Sequence, residues 1–255
     1  MAKILPAVSV HLNQSKSALN PANQQLNDFP TSFTISQQKP TVPVPPLTDG
    51  VRLVTAAEYK QAAACLAEAF ADDDLARYFI DVPDREHWTE EEKWALHVEI
   101  MEYTTYAHIL KGFVTTVGDF EAVALCGMWR LNYRLSAEGK RRFFNEFLPL
   151  LHDTKHSTLG ERDDDSWYLV YIGTRPSGRG KGHCRTLVEH VTRQADRDGR
   201  LCYLESSNDV NPIIYRKFGF EDRRSIHLQR GAKNVSMDIM VREPKLGSLK
   251  SKSKA

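Results

Sequence analysis

Apolar positions show no sustained period before residue 50, where Gln, Asn, Ser, Thr and Pro dominate and the run ends in Pro40-Thr41-Val42-Pro43-Val44-Pro45-Pro46. Too little apolar surface is available there to offset the entropy of ordering, so residues 1–49 read as a disordered leader and linker. Periodicity starts at Val51-Arg52-Leu53-Val54, a short strand, and continues as a helix over Ala56–Phe70 with Tyr59, Ala63, Leu66 and Phe70 on one face. Asp72-Asp73-Asp74 stops that helix and offers a carboxylate cap to a next one through Leu75, Tyr78 and Phe79; no glycine and no later glutamate complete a calcium loop. A long helix is predicted over Trp88–Leu110. Two alternating strands follow, Gly112–Val117 and Ala122–Trp129, with Asp119 in their connection. Leu135–Leu151 reads as another helix and His152–Asp165 as a polar loop.

Trp167-Tyr168-Leu169-Val170-Tyr171-Ile172 is an unbroken apolar run of strand length, expected in a central strand covered on both faces. Directly after it comes Gly173-Thr174-Arg175-Pro176-Ser177-Gly178-Arg179-Gly180-Lys181-Gly182-His183-Cys184, then a helix through Leu187, Val188, Val191 and Ala195. The first amides of a helix have no partner within it and the helix dipole adds positive potential, so glycines there let a phosphate approach bare backbone. Arg179 and Lys181 add charge at the rim. A Walker loop is excluded, because Gly173 is not followed at the required distance by Gly-Lys-Ser or Gly-Lys-Thr, and the alternating Gly178-Arg179-Gly180-Lys181-Gly182 does not fit the dinucleotide fingerprint.

Pro176 with Arg179-Gly180-Lys181-Gly182-His183-Cys184 resembles the coenzyme A-binding signature of the GNAT superfamily, R/Q-x-x-G-x-G/A, with Cys184 at the place of the usual Gly or Ala. A second segment is similar to the family's downstream block: Leu204-Glu205-Ser206-Ser207-Asn208, then Tyr215-Arg216-Lys217-Phe218-Gly219-Phe220. This block most resembles the branch of puromycin N-acetyltransferases, whose members modify small amines. The resemblance covers Val51–Pro244, most strongly Trp167–Glu221.

The resemblance implies an α/β (α+β) GNAT fold: a mixed, mostly antiparallel sheet of roughly six to seven strands flanked by helices, with a splayed central strand pair. It implies direct acetyl transfer from acetyl-CoA to an amine in a ternary complex, with no metal. An amide among Val170, Tyr171 and Ile172 would polarise the acetyl carbonyl, and Arg179, Gly180, Lys181, Gly182, His183 and Cys184 would hold the diphosphate. Asn208 would contact the cofactor from the end of its strand. Tyr215 would protonate the departing thiolate. For the base that deprotonates the amine, Glu205 ranks first, then Glu102 and Glu99. Trp88, Trp94, Tyr103 and Tyr106 could line an aromatic acceptor pocket or pack the helix, and packing is the commoner use.

Composition adds exclusions. With 34 basic and 33 acidic side chains in 255 residues, the net charge of +1 leaves only a small electrostatic footprint for nucleic acid. Cys65, Cys126, Cys184 and Cys202 show no C-x-x-C pair, and no apolar stretch is long enough for a bilayer. The expectation is one acetyltransferase domain over 50–244 and a disordered basic tail over 245–255. The protein is expected in the cytoplasm, with the nucleus as the alternative, as a monomer or homodimer acting on a small-molecule amine without nucleic acid or membrane partners. A protein or peptide N-acetyltransferase and a non-catalytic acetyl-CoA sensor are the alternatives.

Overall fold

The computed structural model describes residues 46, 47, 50–126 and 135–245. The predicted leader apart from Pro46 and Leu47, the part of the Ala122–Trp129 strand after Cys126 and the tail after Lys245 lie outside these residues.

Seven strands form one sheet: β1 (Arg52–Leu53), β2 (Phe113–Val117), β3 (Ala122–Cys126), β4 (Trp167–Thr174), β5 (Cys202–Ser206), β6 (Glu221–Leu228) and β7 (Val235–Arg242). Their order is β1-β2-β3-β4-β5-β7-β6. Every neighbouring pair is antiparallel except β4 and β5, which run parallel in the centre.

The helices are α1 (Tyr59–Ala69), α2 (Asp74–Ile80), α3 (Glu90–Lys111), α4 (Ala137–Arg142), α5 (Leu148–Leu159), α6 (His183–Asp198) and α7 (Asn211–Arg216). One face of the sheet is covered by α1 and α3 over β2 and β3, through Leu66, Met101, Val114 and Leu125, and by α2, the segment Phe143–Phe147 and α5 over β5 to β7, through Phe79, Phe143, Leu159, Tyr203 and Ile239. The opposite face carries α6 and α7, with Val188 and Tyr215 packed on Trp167, Leu204 and Met240.

Local chemistry explains most boundaries. Asp73 caps α2 as expected, its Oδ1 accepting from Leu75 N and Ala76 N, both at 3.0 Å. Thr89 and Glu92 close a capping box at the start of α3, trimming the helix expected from Trp88. Asp119 and Phe120 take positive φ in the β2–β3 connection.

Two expectations need correction. The stretch from His152 is no loop: α5 runs to Leu159 and stops where Gly160 adopts φ +58°. Nothing before Gly160 interrupts it: His152, Asp153, His156 and Ser157 face solvent, while Thr154 and Leu159 are buried and Lys155 is half-buried. The helix expected over Leu135–Leu151 is also not regular. Pro149 has no amide to donate, and the backbone just before it relaxes into a π turn, Phe143–Phe147, with Leu148 N bonding Phe143 O. In β4, only Trp167 and Gly173 are buried on this central strand, while Tyr168 to Ile172 are half-exposed. Its position in the sheet is central, but its neighbour leaves it part-way.

Candidate active site at the opening between β4 and β5

Register defines the opening. β4 and β5 pair only at Trp167–Cys202, Tyr168–Tyr203 and Leu169–Leu204, after which both strands continue without each other. On its other edge β4 keeps its partner β3, but the register slips between Leu125 (opposite Tyr171) and Cys126 (opposite Leu169), leaving Val170 as an extra residue. Packing records the same bulge: Leu169 and Ile172, three apart, share the α6 face, whereas Tyr168 and Tyr171 face the opposite helices. Beyond Leu169, amides of Val170, Tyr171 or Ile172 that point towards β5 have no strand to bond. The carboxyl ends of parting parallel strands are where α/β sheets bind ligands.

The glycine turn closes this opening on the α6 side. Gly180 and Gly182 have φ of +78° and +81°, and a Cβ added to either would meet nothing within 4 Å. Gly178 differs: a Cβ there would come within 2.8 Å of Glu121 Cβ. Among the described residues, the amides from Gly180 to Arg185 donate to no backbone or side-chain acceptor, and Thr186 N is the first to bond, to Gly182 O at 3.0 Å. The turn is therefore packed closely against Glu121 at Gly178 and bare at Gly180 and Gly182.

Glu121, in the β2–β3 connection, holds it. Its carboxylate accepts from Lys181 Nζ at 2.5 Å and pairs with His183 Nε2 at 2.7 Å, while its carbonyl accepts from Arg175 N at 3.0 Å. The Lys181 and His183 contacts hold the Glu121 carboxyl below its usual range. Arg179 is exposed at the rim. Sequence gave no sign of Glu121, because its role depends on a hairpin tip folding against a distant turn.

Tyr215 on α7 lies in the same apolar cluster as Val188, Leu204 and Phe220, with Cys184 packed against it. Burial first, and then the neighbouring Cys184, push its phenol well above the ordinary value, so it keeps its proton at neutral pH. Asn208 follows β5 and is exposed; its Oδ1 accepts from Val210 N at 2.8 Å, turning the chain into α7.

Glu205 occupies the opposite face. It is the first β5 residue past the last pair with β4, and strand alternation puts it with Tyr203 rather than with Leu204. Glu205 Oε1 and Tyr203 Oη are both buried, with no hydrogen-bond partner among the described residues. Burial pushes the Glu205 carboxyl up to about 7, against the pull of the Tyr168 and Tyr203 hydroxyls and the Lys155 ammonium. A carboxylate poised there can exchange protons near neutrality. Nearby, Ser207 Oγ donates to Asp73 Oδ2 at 2.8 Å, pinning the end of β5 to α2, and Phe70 meets Tyr171 edge-on at 5.4 Å.

The other proposed bases and the aromatic set are not gathered here. Glu99 is exposed on α3 and Glu102 half-buried, neither enclosed as Glu205 is. Tyr106 packs on Tyr59 at 5.1 Å, Trp88 lies under Arg85 against the α2–α5 cluster, and Trp94 and Tyr103 are 44% and 42% exposed. Trp88 and Tyr106 are thus packing residues, Trp94 and Tyr103 lie at the surface, and the four rings do not converge. No group of His, Cys, Asp and Glu that could hold a metal occurs among the described residues.

A relative from Schizosaccharomyces pombe, an uncharacterised N-acetyltransferase, is 44% identical over 212 residues, covering 76% of this chain and 83% of its own. The chain belongs to the GNAT superfamily of N-acetyltransferases. No protein-family model matches this acetyltransferase. Its fold is shared with solved structures. A histone acetyltransferase HPA2 and related acetyltransferase from Corynebacterium glutamicum is 19% identical at a TM-score of 0.50, covering 78% of this chain and 98% of that one. Arylalkylamine N-acetyltransferase 2 from Aedes aegypti is 16% identical at a TM-score of 0.50, covering 76% and 99%. At such identities the likeness establishes the sheet and helix arrangement of the GNAT acetyltransferase and nothing finer. No described helix of it is long and apolar enough to cross a membrane.

Proposed function

We propose that this acetyltransferase uses acetyl-coenzyme A to acetylate the amine of a small-molecule acceptor by direct attack in a ternary complex, within the branch resembling puromycin N-acetyltransferases. One observation carries the reading. At the carboxyl ends of two parallel strands that part, bare turn amides lie on one face and a buried carboxylate of raised affinity for protons on the other.

The residues present fit the donor: an anion can reach the Gly180–Arg185 amides without meeting a Cβ at Gly180 or Gly182. When bound, acetyl-coenzyme A supplies an activated acyl thioester. The open amides and the α6 dipole hold its diphosphate, Arg179 adds charge at the rim, and Lys181 faces it with its ammonium already paired to Glu121. Asn208 contacts it from the end of β5. An amide of Val170, Tyr171 or Ile172 donates to the acetyl oxygen as negative charge develops, a contribution of about 3 kcal/mol for one such donor. Glu205 takes the amine's proton on the face of α2 and α5; Tyr215 gives a proton to the thiolate on the face of α6. Holding amine and thioester together between these groups supplies much of the remaining acceleration.

The π turn and α5 cover the Glu205 face through Phe143, Leu151 and Leu159, which favours a small acceptor over an extended peptide. The test is thiol release from acetyl-coenzyme A with a panel of primary amines beside a lysine-containing peptide. Turnover with a small amine is expected. Release with the peptide alone, or with no acceptor above background, overturns the reading.

A further inference from the structure

Lys155 is a half-buried cation that none of these steps uses. On α5 it shares one helical stripe with Leu151 and Leu159, spaced i, i+4, i+8, so it enters the layer between helix and sheet. Its side chain is 15% exposed. Nζ donates to Asp163 O at 2.8 Å and is paired with the Asp163 carboxylate. From that clamp the ammonium lies 5.9 Å from the ring centroid of Tyr168 and 5.8 Å from that of Tyr203.

Those two rings belong to the last stretch where β4 and β5 still pair. Tyr168 stands opposite Tyr203, and the rings meet edge-on at 5.5 Å. Two residues further along β5 on the same face is Glu205, whose Oε1 is buried without a partner, as is Tyr203 Oη. The groups facing Glu205 are Tyr168 from β4, Tyr203 from its own strand and Lys155 from α5. Asp163 stands behind Lys155. Arg224 of β6 bonds Thr154 O at 3.0 Å and fixes α5 against the sheet. Tyr171, next along β4, faces Asp73 and not α5.

A carboxylate left in this layer without a cation would take up a proton and cease to be a base. We propose that Lys155, clamped by Asp163 beneath the Tyr168–Tyr203 pair, is a positioning residue that holds a working fraction of Glu205 ionised at neutral pH, with the two tyrosine rings covering the carboxylate. The proposal rests on Glu205 acting as base, and it gives α5 a second purpose: it delivers the charge that tunes the site it covers.

The decisive experiment titrates the Glu205 side-chain carboxyl by carbon-13 NMR in the full chain, with the signal assigned by its loss in Glu205→Gln. Lys155→Met should move the midpoint up by about 1 pH, Lys155→Arg should leave it in place, and Asp163→Asn, which frees the ammonium from its counter-charge, should move it down. Opposite shifts from the two partners of one ion pair cannot arise from general loosening. An unmoved midpoint in folded Lys155→Met overturns the proposal; should that variant not fold, an unmoved or raised midpoint in Asp163→Asn does so. The pH profile of thiol release separates the two readings: if the NMR midpoints shift as stated while the rate profile does not follow them, Lys155 tunes Glu205 but Glu205 is not the base.

Discussion

The two faces of the sheet at the β4–β5 opening reach their chemistry by different routes. On the α6 face the instruments are backbone groups: amides bared by glycines at positive φ and a strand edge abandoned by its neighbour. On the α5 face they are side chains, a carboxylate, two tyrosines and a lysine, brought from β4, β5 and α5. Backbone chemistry needs a contiguous run of residues, so it is written locally in the chain. Side-chain chemistry needs only convergence, so topology assembles it.

The difference can be broken first at Glu205. Glu205→Gln keeps the shape and removes the base; kcat should fall by about 10³, within the range for general catalysis. The sign of the pH effect follows from a carboxyl raised to about 7. Below that pH Glu205 is protonated and cannot accept, so the wild-type rate climbs as pH rises through about 7, and this limb should vanish in Glu205→Gln. A retained limb would place the base elsewhere.

The α6 face is attacked by Gly182→Glu, which sets a carboxylate against the diphosphate. Wild-type protein at about a hundred times the dissociation constant of coenzyme A should gain about 2.7 kcal/mol of stability, seen as a rise in melting temperature, and the variant should gain none. Gly182→Ala serves as the control for backbone strain at φ +81°. Next in size, Tyr215→Phe should leave coenzyme A binding intact and lower kcat by about 10², since only the departing thiolate loses its proton donor. An undiminished rate would remove Tyr215 from the mechanism. Smallest is Cys184→Ala, which restores the family's usual residue at the turn and should change the coenzyme A dissociation constant by less than about threefold, measured by calorimetry.

Legibility in the sequence follows the same division. The strand, turn and helix from Trp167 to Asp198 were readable because periodicity, glycine spacing and a family resemblance all fall on one stretch. The splayed pair came with the resemblance, but the bulge at Val170 did not, since a slip of one residue leaves no mark in an unbroken apolar run. Glu205 was named, but what raises it was hidden. Lys155 did carry a signal. A lysine in phase with Leu151 and Leu159 sits at a core position of a helix, and it went unread because the stretch from His152 looked too polar to be helical. Glu121 left no such trace, as nothing about a hairpin tip announces that it will grip Lys181 and His183.

The central claim, that bare amides opening α6 hold the diphosphate of an acyl carrier, is tested most directly by calorimetric titration with coenzyme A and, in parallel, with pantetheine, which keeps the thiol arm and lacks the diphosphate. Coenzyme A should bind at least about a hundredfold more tightly, as expected when several backbone donors and a helix dipole meet a charged ligand. Equal affinities for the two would contradict it.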